Sequence, residues 1–512
     1  MALINEQLVR QVVADVIGEV LGDGPSASRV GEAHPQQAHA PNGLLTSGQP
    51  SSQNRTASSS SEWQPGELNR WGLFADVDRA VGAAGEAYEQ LSRLKLADRK
   101  RITDTIRQIC RDDADELGTA EFHETGVGRL DHKIEKLQVL ADFVPGVEFL
   151  KSQAFSGDFG LTVIEPAPFG VIAAVTPVTH SLPTLAANAI NMIAAGNTLV
   201  ANPHPSGKRI AARGVQRFNQ AIAREFQIEN LVCAIVEPTI ESANQLFGHR
   251  DIALICVTGG PGVARAALKS GKRAIVAGPG NPPVVVDETA DLSRAARCII
   301  EGASYDNNLL CIGEKQIFVV ASVADQLKRE LADRGAVELP GPEIEQLTRQ
   351  AIASNGGHFH AVGQFVGKSA SFLAESIGRQ VPPNTELLFG ETPPEHPMVL
   401  AEQMMPFIPL VRCANADEAI EQARISEHGF RHTAIIHSNS VRNMTRMGQM
   451  LDTTIFVKNG PCTAGNGING EGWFSYSIAG PTGEGVTTPL TFTRQRRCAM
   501  IDNLRIIGKP EA

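Results

Sequence analysis

From residue 171 onward the chain alternates short, unbroken apolar runs with longer segments of helical period, and this alternation restricts the fold more than any other feature. Residues 171–175 (VIAAV) read as a buried strand. TPVTHSLP (176–183) reads as a turn into a helix that runs to about Ala195, and Gly196-Asn197 ends it. Residues 198–202 make the next strand, and Pro203-His204-Pro205-Ser206 opens a helix reaching about Glu225. Strand, helix, strand, helix with short turns requires a parallel sheet covered by helices. A second unit follows, with strand 252–257, turn Thr258-Gly259-Gly260-Pro261-Gly262, helix 263–269 and strand 273–277. Glycines between a strand and a helix N-terminus let the backbone approach a phosphate whose charge the helix dipole favours. The spacing is not GxGxxG, so the turn by itself fits a phosphate loop and an ordinary connection equally well.

The 512 residues leave room for two or three domains and a large core. Apolar residues make up 42% and charged residues 20%, the balance of an ordinary globular protein. A net charge of −10 argues against general nucleic-acid binding, because no surplus of basic groups exists to neutralise phosphates. The longest apolar stretch, 182–201, is broken by Asn188, Asn191, Gly196 and Asn197 and does not read as a membrane span. No signal peptide is expected, since the N-terminal apolar residues are periodic rather than continuous. The eight cysteines are scattered without a CxxC pair, which predicts reduced thiols in a cytoplasmic setting and no zinc site.

Leu3, Ile4, Leu8, Val12, Val13, Val16, Ile17, Val20 and Leu21 recur at three- and four-residue intervals, predicting one apolar stripe on a helix. Beyond Gly22 the chain is rich in Ser, Pro, Gln and Gly to about Gly66, a disordered tether lacking the apolar content to fold. An amphipathic helix on a tether is expected to dock on a partner, with packing back onto its own domain as the alternative. Its polar face is not basic, which disfavours a membrane surface. Residues 68–140 read as helices with charged faces at 93–101 and 132–136, expected to be scaffold.

DNNLLCIGEK (306–315) puts Cys311 in a small polar loop ahead of the buried strand 316–320. That context favours a nucleophile over a packing thiol, whereas Cys256 and Cys298 lie in apolar patterns that predict packing. Glu402 precedes Met405-Pro406-Phe407, and the segment 465–472 (GNGINGEG) reads as a loop that can border a pocket.

The succession PFGVIAAVTPVTH, AAGNTLVANPHP, VTGGPG, AGPGNPPVVVDE and DNNLLCIGEK resembles the aldehyde dehydrogenase superfamily over residues 68–505. Within it, the chain looks like the CoA-acylating propionaldehyde and acetaldehyde dehydrogenases of bacterial microcompartments. The resemblance implies an α/β fold: a Rossmann-like NAD(CoA)-binding domain over 67–283, a catalytic α/β domain over 284–480, and an oligomerisation element combining 154–166 with 481–512. Residues 1–22 match an encapsulation-type helix and 23–66 its linker. Cys311 matches the nucleophile, and Thr258, Gly259, Gly260 and Gly262 the turn near the NAD phosphates. Thr176 falls on the cofactor side, Asn202 and His204 match the segment by the adenosine ribose, and Glu402 the holder of the nicotinamide ribose. Two departures stand out. His180 occupies the place of an asparagine whose amide helps bind the oxyanion, which leaves its own role open. Residues 275–282 lack the glutamate that activates water in hydrolytic relatives.

The resemblance therefore implies NAD-dependent, reversible, CoA-acylating oxidation of a short-chain aldehyde through a thiohemiacetal and a thioacyl-enzyme on Cys311. The implied protein is a homo-oligomer (dimer or tetramer), held inside a microcompartment by contacts of residues 3–21 with shell or cargo. Propionaldehyde, acetaldehyde and lactaldehyde are all candidate substrates. The alternatives are a hydrolytic aldehyde dehydrogenase giving a free acid and a non-catalytic cargo or assembly protein.

Overall fold

The computed structural model describes residues 68–508, apart from 357 and 503; the helix expected over 3–21 and the linker to 66 lie outside the described residues. Six strands build a first sheet in the spatial order Leu73–Phe74, Val232–Ile235, Thr198–Pro203, Val171–Thr176, Ile252–Thr258 and Ala274–Ala277. All its pairs are parallel. Val171–Thr176 and Thr198–Pro203 are buried along their whole length, as parallel strands covered on both faces must be. Leu73–Phe74 corrects the helical reading of this region. The two residues pair with Ala234 and Ile235 as an edge strand, and two residues are too few to show a period.

From Val171–Thr176 the sheet grows first to one side and then, with Ile252–Thr258, to the other. Strand order thus reverses between these two neighbours, and their carboxyl ends splay apart where open α/β sheets hold ligands. The connecting helix Ser181–Ala194 is buried at all fourteen positions, packed between this sheet and the helix Leu96–Asp112.

Residues 278–282 lead from the last strand of this sheet to Pro283–Val286 in a second one. Its order is Val337–Glu338, Leu388–Glu391, Phe407–Cys413, Gln316–Val320, Pro283–Val286, Thr433–His437 and Ile455–Lys458, again wholly parallel. A smaller antiparallel sheet joins Gln153–Gly157, Gly160–Pro168 and Thr493–Ile501. Ahead of the last strand, Pro489–Phe492 forms a 3-10 turn with proline at its start. Among the described residues no helix is long and apolar enough to cross a membrane.

Candidate active site

The splayed strand ends open into a cleft of about 670 Å³. Thr176, His180, Asn202, His204, Thr258, Gly259, Gly260, Gly262, Cys311 and Glu402 all line it, so the tertiary fold gathers these ten residues in one place. A Cβ added at Gly259, Gly260 or Gly262 would meet nothing within 4 Å. The backbone at the start of the helix Pro261–Lys269 is therefore bare toward the cleft, a form that suits an anionic group. Asn202 is tied inward, its Nδ2 donating to Thr239 O at 3.2 Å and its Oδ1 accepting from Ser242 Oγ at 2.6 Å. The Thr258 hydroxyl is paired with Ser477 Oγ at 2.6 Å, whereas the buried Thr176 hydroxyl has no partner among the described residues. His204 stands exposed at the rim, its Nδ1 accepting from Ser206 N–H at 3.1 Å.

Cys311 sits between the helix Leu292–Ser304 and the strand Gln316–Val320. The turn before it contains three successive left-handed residues, Asp306, Asn307 and Asn308, with φ of 48°, 55° and 63°. Asp and Asn adopt this region more readily than other side-chain-bearing residues, because their short polar groups bond nearby backbone. Asn308 Nδ2 donates to Ala303 O and Glu314 O, both at 2.8 Å, and Asn307 Nδ2 to Gly128 O at 3.1 Å and Gly367 O at 2.9 Å. Asp306 Oδ1 accepts from Arg129 N–H at 2.7 Å. The Asp-Asn-Asn triplet is the sequence signal for this turn.

The half-buried thiol is protonated at rest. Burial pushes Cys311 up to about 12 and Glu402 adds to the rise, while Lys315 and the main-chain N–H groups of Cys311 and Ile312 pull it down. Burial also lifts Glu402 to about 7, against Lys315 and the Gly280 N–H. Ala277, Gly278 and Pro279 reach the cleft without a carboxylate, and Glu402 is the one acid in its wall among the described residues.

On its far side Cys311 faces a second, much smaller cavity of about 20 Å³, room for roughly one water-sized group. Leu310, Ile312, Ile468, Phe474 and Ile478 supply its apolar lining. His180 and Tyr476 stand with Cys311 at the wall common to both spaces, their rings stacked with centroids 5.5 Å apart. Burial, followed by the charges of Lys136 and Lys133, holds His180 well below its ordinary range, so its imidazole is neutral.

The charged stretch 132–136, expected to face solvent as scaffold, is corrected by the structure. Lys133 and Lys136 are each 1% exposed. Lys136 Nζ contacts His180 Nδ1 at 2.8 Å and pairs with Asp306, and Lys133 Nζ lies 3.4 Å from Asp306 and 3.6 Å from Glu121. Only the i, i+3 spacing of the two lysines hints that they share a face; their acidic partners are far away in sequence.

Residues 72–486 match the model of the aldehyde dehydrogenase family. The chain is 46% identical to the acetylating acetaldehyde dehydrogenase EutE of Salmonella typhimurium over 443 residues, covering 86% of this chain and 94% of that protein. It superposes with a TM-score of 0.83 on Rhodopseudomonas palustris propionaldehyde dehydrogenase with bound CoA and an acylated cysteine, at 43% identity over 85% of this chain and 99% of the other. A propionaldehyde dehydrogenase from the Clostridium phytofermentans fucose utilisation bacterial microcompartment also superposes with a TM-score of 0.83, at 42% identity over 85% and 99% of the two chains. Strand order, cleft and sequence agree: this chain belongs to the aldehyde dehydrogenase family.

Proposed function

We propose that this protein oxidises short-chain aldehydes to acyl-CoA thioesters with NAD, reversibly, through Cys311. The observation that carries the reading is the position of Cys311 between a large cleft with a bare glycine turn and a one-group apolar pocket, with no carboxylate at the strand end 277–279. The turn 258–262 would hold the pyrophosphate of NAD, His204 and the Asn202 segment would border the adenosine ribose, and Glu402 the nicotinamide ribose. Bound NAD supplies the hydride acceptor.

The Cys311 thiol gives its proton to solvent through the open cleft, its sulfur adds to the aldehyde carbon, the carbonyl π pair moves to oxygen, and the Cys311 N–H with His180 faces that oxyanion. Loss of hydride leaves a thioester on Cys311. A thioester persists in water unless a base activates the water, so a second thiol, that of CoA, displaces Cys311 and keeps the thioester free energy in the product. The relatives support this: one is named acetylating, and another carries CoA and an acylated cysteine. The test is NADH formation from propionaldehyde with and without CoA. Strong dependence on CoA is expected, and equal rates without it would overturn the assignment.

One observation favours hydrolysis to a free acid: Glu402 beside Cys311 is held near neutrality, where a carboxylate can act as base. The same CoA omission separates the two readings. A Cys311→Ala protein with unchanged turnover would revive the non-catalytic alternative.

We further propose that residues 3–21 dock on shell or neighbouring cargo of a bacterial microcompartment, as their apolar stripe and a microcompartment relative support. Deleting residues 1–22 is expected to leave turnover intact and abolish packaging; loss of turnover in the purified truncated protein would contradict this. The working form is proposed to be a dimer or tetramer, to be measured by sedimentation.

A further inference from the structure

Four charged groups buried under the cleft, Lys133, Glu121, Lys136 and Asp306, form a network that reaches His180 and its flanking backbone. Lys133 Nζ donates to Thr179 O at 2.7 Å, the peptide oxygen before His180. Glu121 accepts from the N–H groups of Ser181 and Leu182, at 3.1 and 3.2 Å, just after it. The backbone on both flanks is therefore pinned. The ring itself is stacked on Tyr476, whose hydroxyl donates to Lys136 O at 3.1 Å. Lys136 Nζ meets ring Nδ1 at 2.8 Å and is held from its other side by Asp306, which also accepts from Arg129 N–H and begins the turn that carries the nucleophile. Two ammonium groups and two carboxylates balance, so the cluster is a closed buried network rather than a stranded charge.

The chemistry of the Lys136–His180 contact is directional. Burial lowers Lys136 to about 8, with Asp306 opposing the shift, so near pH 7 it is an ammonium. An ammonium has donors and no lone pair. Nδ1 must accept, and the proton of the neutral imidazole must then reside on Nε2. His180 borders both cavities next to Cys311.

We propose that Lys136 is a positioning residue: it fixes His180 as the Nε2–H tautomer, so that an N–H faces the oxygen that becomes negative when the Cys311 sulfur adds to the aldehyde. Asp306 couples this donor to the nucleophile loop by holding Lys136. The inference rests on the aldehyde reading given above and on His180 as an oxyanion donor, but it does not depend on which acceptor takes the acyl group.

The test is a double-mutant cycle using propionaldehyde-dependent NADH formation. An asparagine amide presents N–H donors without tautomerism, so His180→Asn should lower kcat while leaving it measurable, and remove the need for the lock. Lys136→Met in the natural background is expected to lower kcat about 10- to 100-fold, below the 10²–10³ typical of losing an oxyanion donor outright, with KM for NAD within threefold. In the His180→Asn background the same change should cost less than threefold. Equal losses in both backgrounds would overturn the proposal and make Lys136 merely structural. So would a His180→Asn enzyme without turnover, or a His180→Ala enzyme with unchanged kcat. If Lys136→Met fails to fold, Asp306→Asn, which keeps the shape and removes the charge holding Lys136, enters the same cycle with the same criteria. If CoA proves dispensable, the acylating reading fails while this cycle still reads out.

Discussion

Lys315 Nζ, fully buried, donates to the carbonyl oxygen of Leu310 at 3.2 Å, the peptide joined directly to Cys311. It also donates to Asn308 O at 2.8 Å and to the Asn308 side chain. One ammonium thus braces the loop from below and lowers the thiol's pKa, while Glu402 acts on the same thiol with the opposite sign.

Replacing Lys315 by Met should therefore slow iodoacetamide alkylation of Cys311 at pH 8. A shift of about one unit corresponds to about tenfold less thiolate. Wild-type alkylation should keep rising through pH 10 without a plateau, because the thiol lies near 12.

Glu402→Gln should do the reverse and speed alkylation several-fold at the same pH. If both variants slow it alike, Glu402 acts by shape rather than by charge.

Asn308→Ala removes three buried hydrogen bonds, one of them from the Lys315 ammonium, and leaves alanine at a positive φ. At about 1 kcal/mol for each neutral bond, about 2 kcal/mol for the charged one and about 1 kcal/mol or more for the backbone, the loss should be roughly 5 kcal/mol. A lower Tm in calorimetry and a lower kcat should appear together, since the turn aims the thiol.

Ile468→Ala should enlarge the small cavity from a half-buried loop position, at little cost to the fold. The ratio of kcat/KM for hexanal over acetaldehyde should rise about tenfold or more, in line with about 1–3 kcal/mol for filling a hydrophobic pocket. An unchanged ratio would move the acyl group elsewhere.

Glu314 is buried with Oε1 accepting from Cys462 N–H at 2.8 Å. Burial raises it to about 7 from 4.5, so the folded state holds its proton more tightly than the unfolded chain. Its contribution is full below about pH 4.5 and is lost as pH rises through 7, about 3 kcal/mol in all. Glu314→Gln should flatten the fall in Tm between pH 5.5 and 8 relative to wild type.

Strand and helix identity around residues 171–277 was legible in the sequence, because parallel strands buried on both faces leave unbroken apolar runs and the turns between them are short. The Cys311 loop and the glycine turn were legible as local patterns. Their meeting in one cleft was not a local property: the glycine turn follows a strand of the first sheet, at its reversal of strand order, and the Cys311 loop precedes a strand of the second. The tertiary structure alone decided the fate of Lys133 and Lys136. Their segment carries the charge of a solvated face, and their burial depends on Asp306 and Glu121, which come from other elements. A charge can be buried only when its partner arrives from elsewhere in the fold, and no local window of sequence records that arrival.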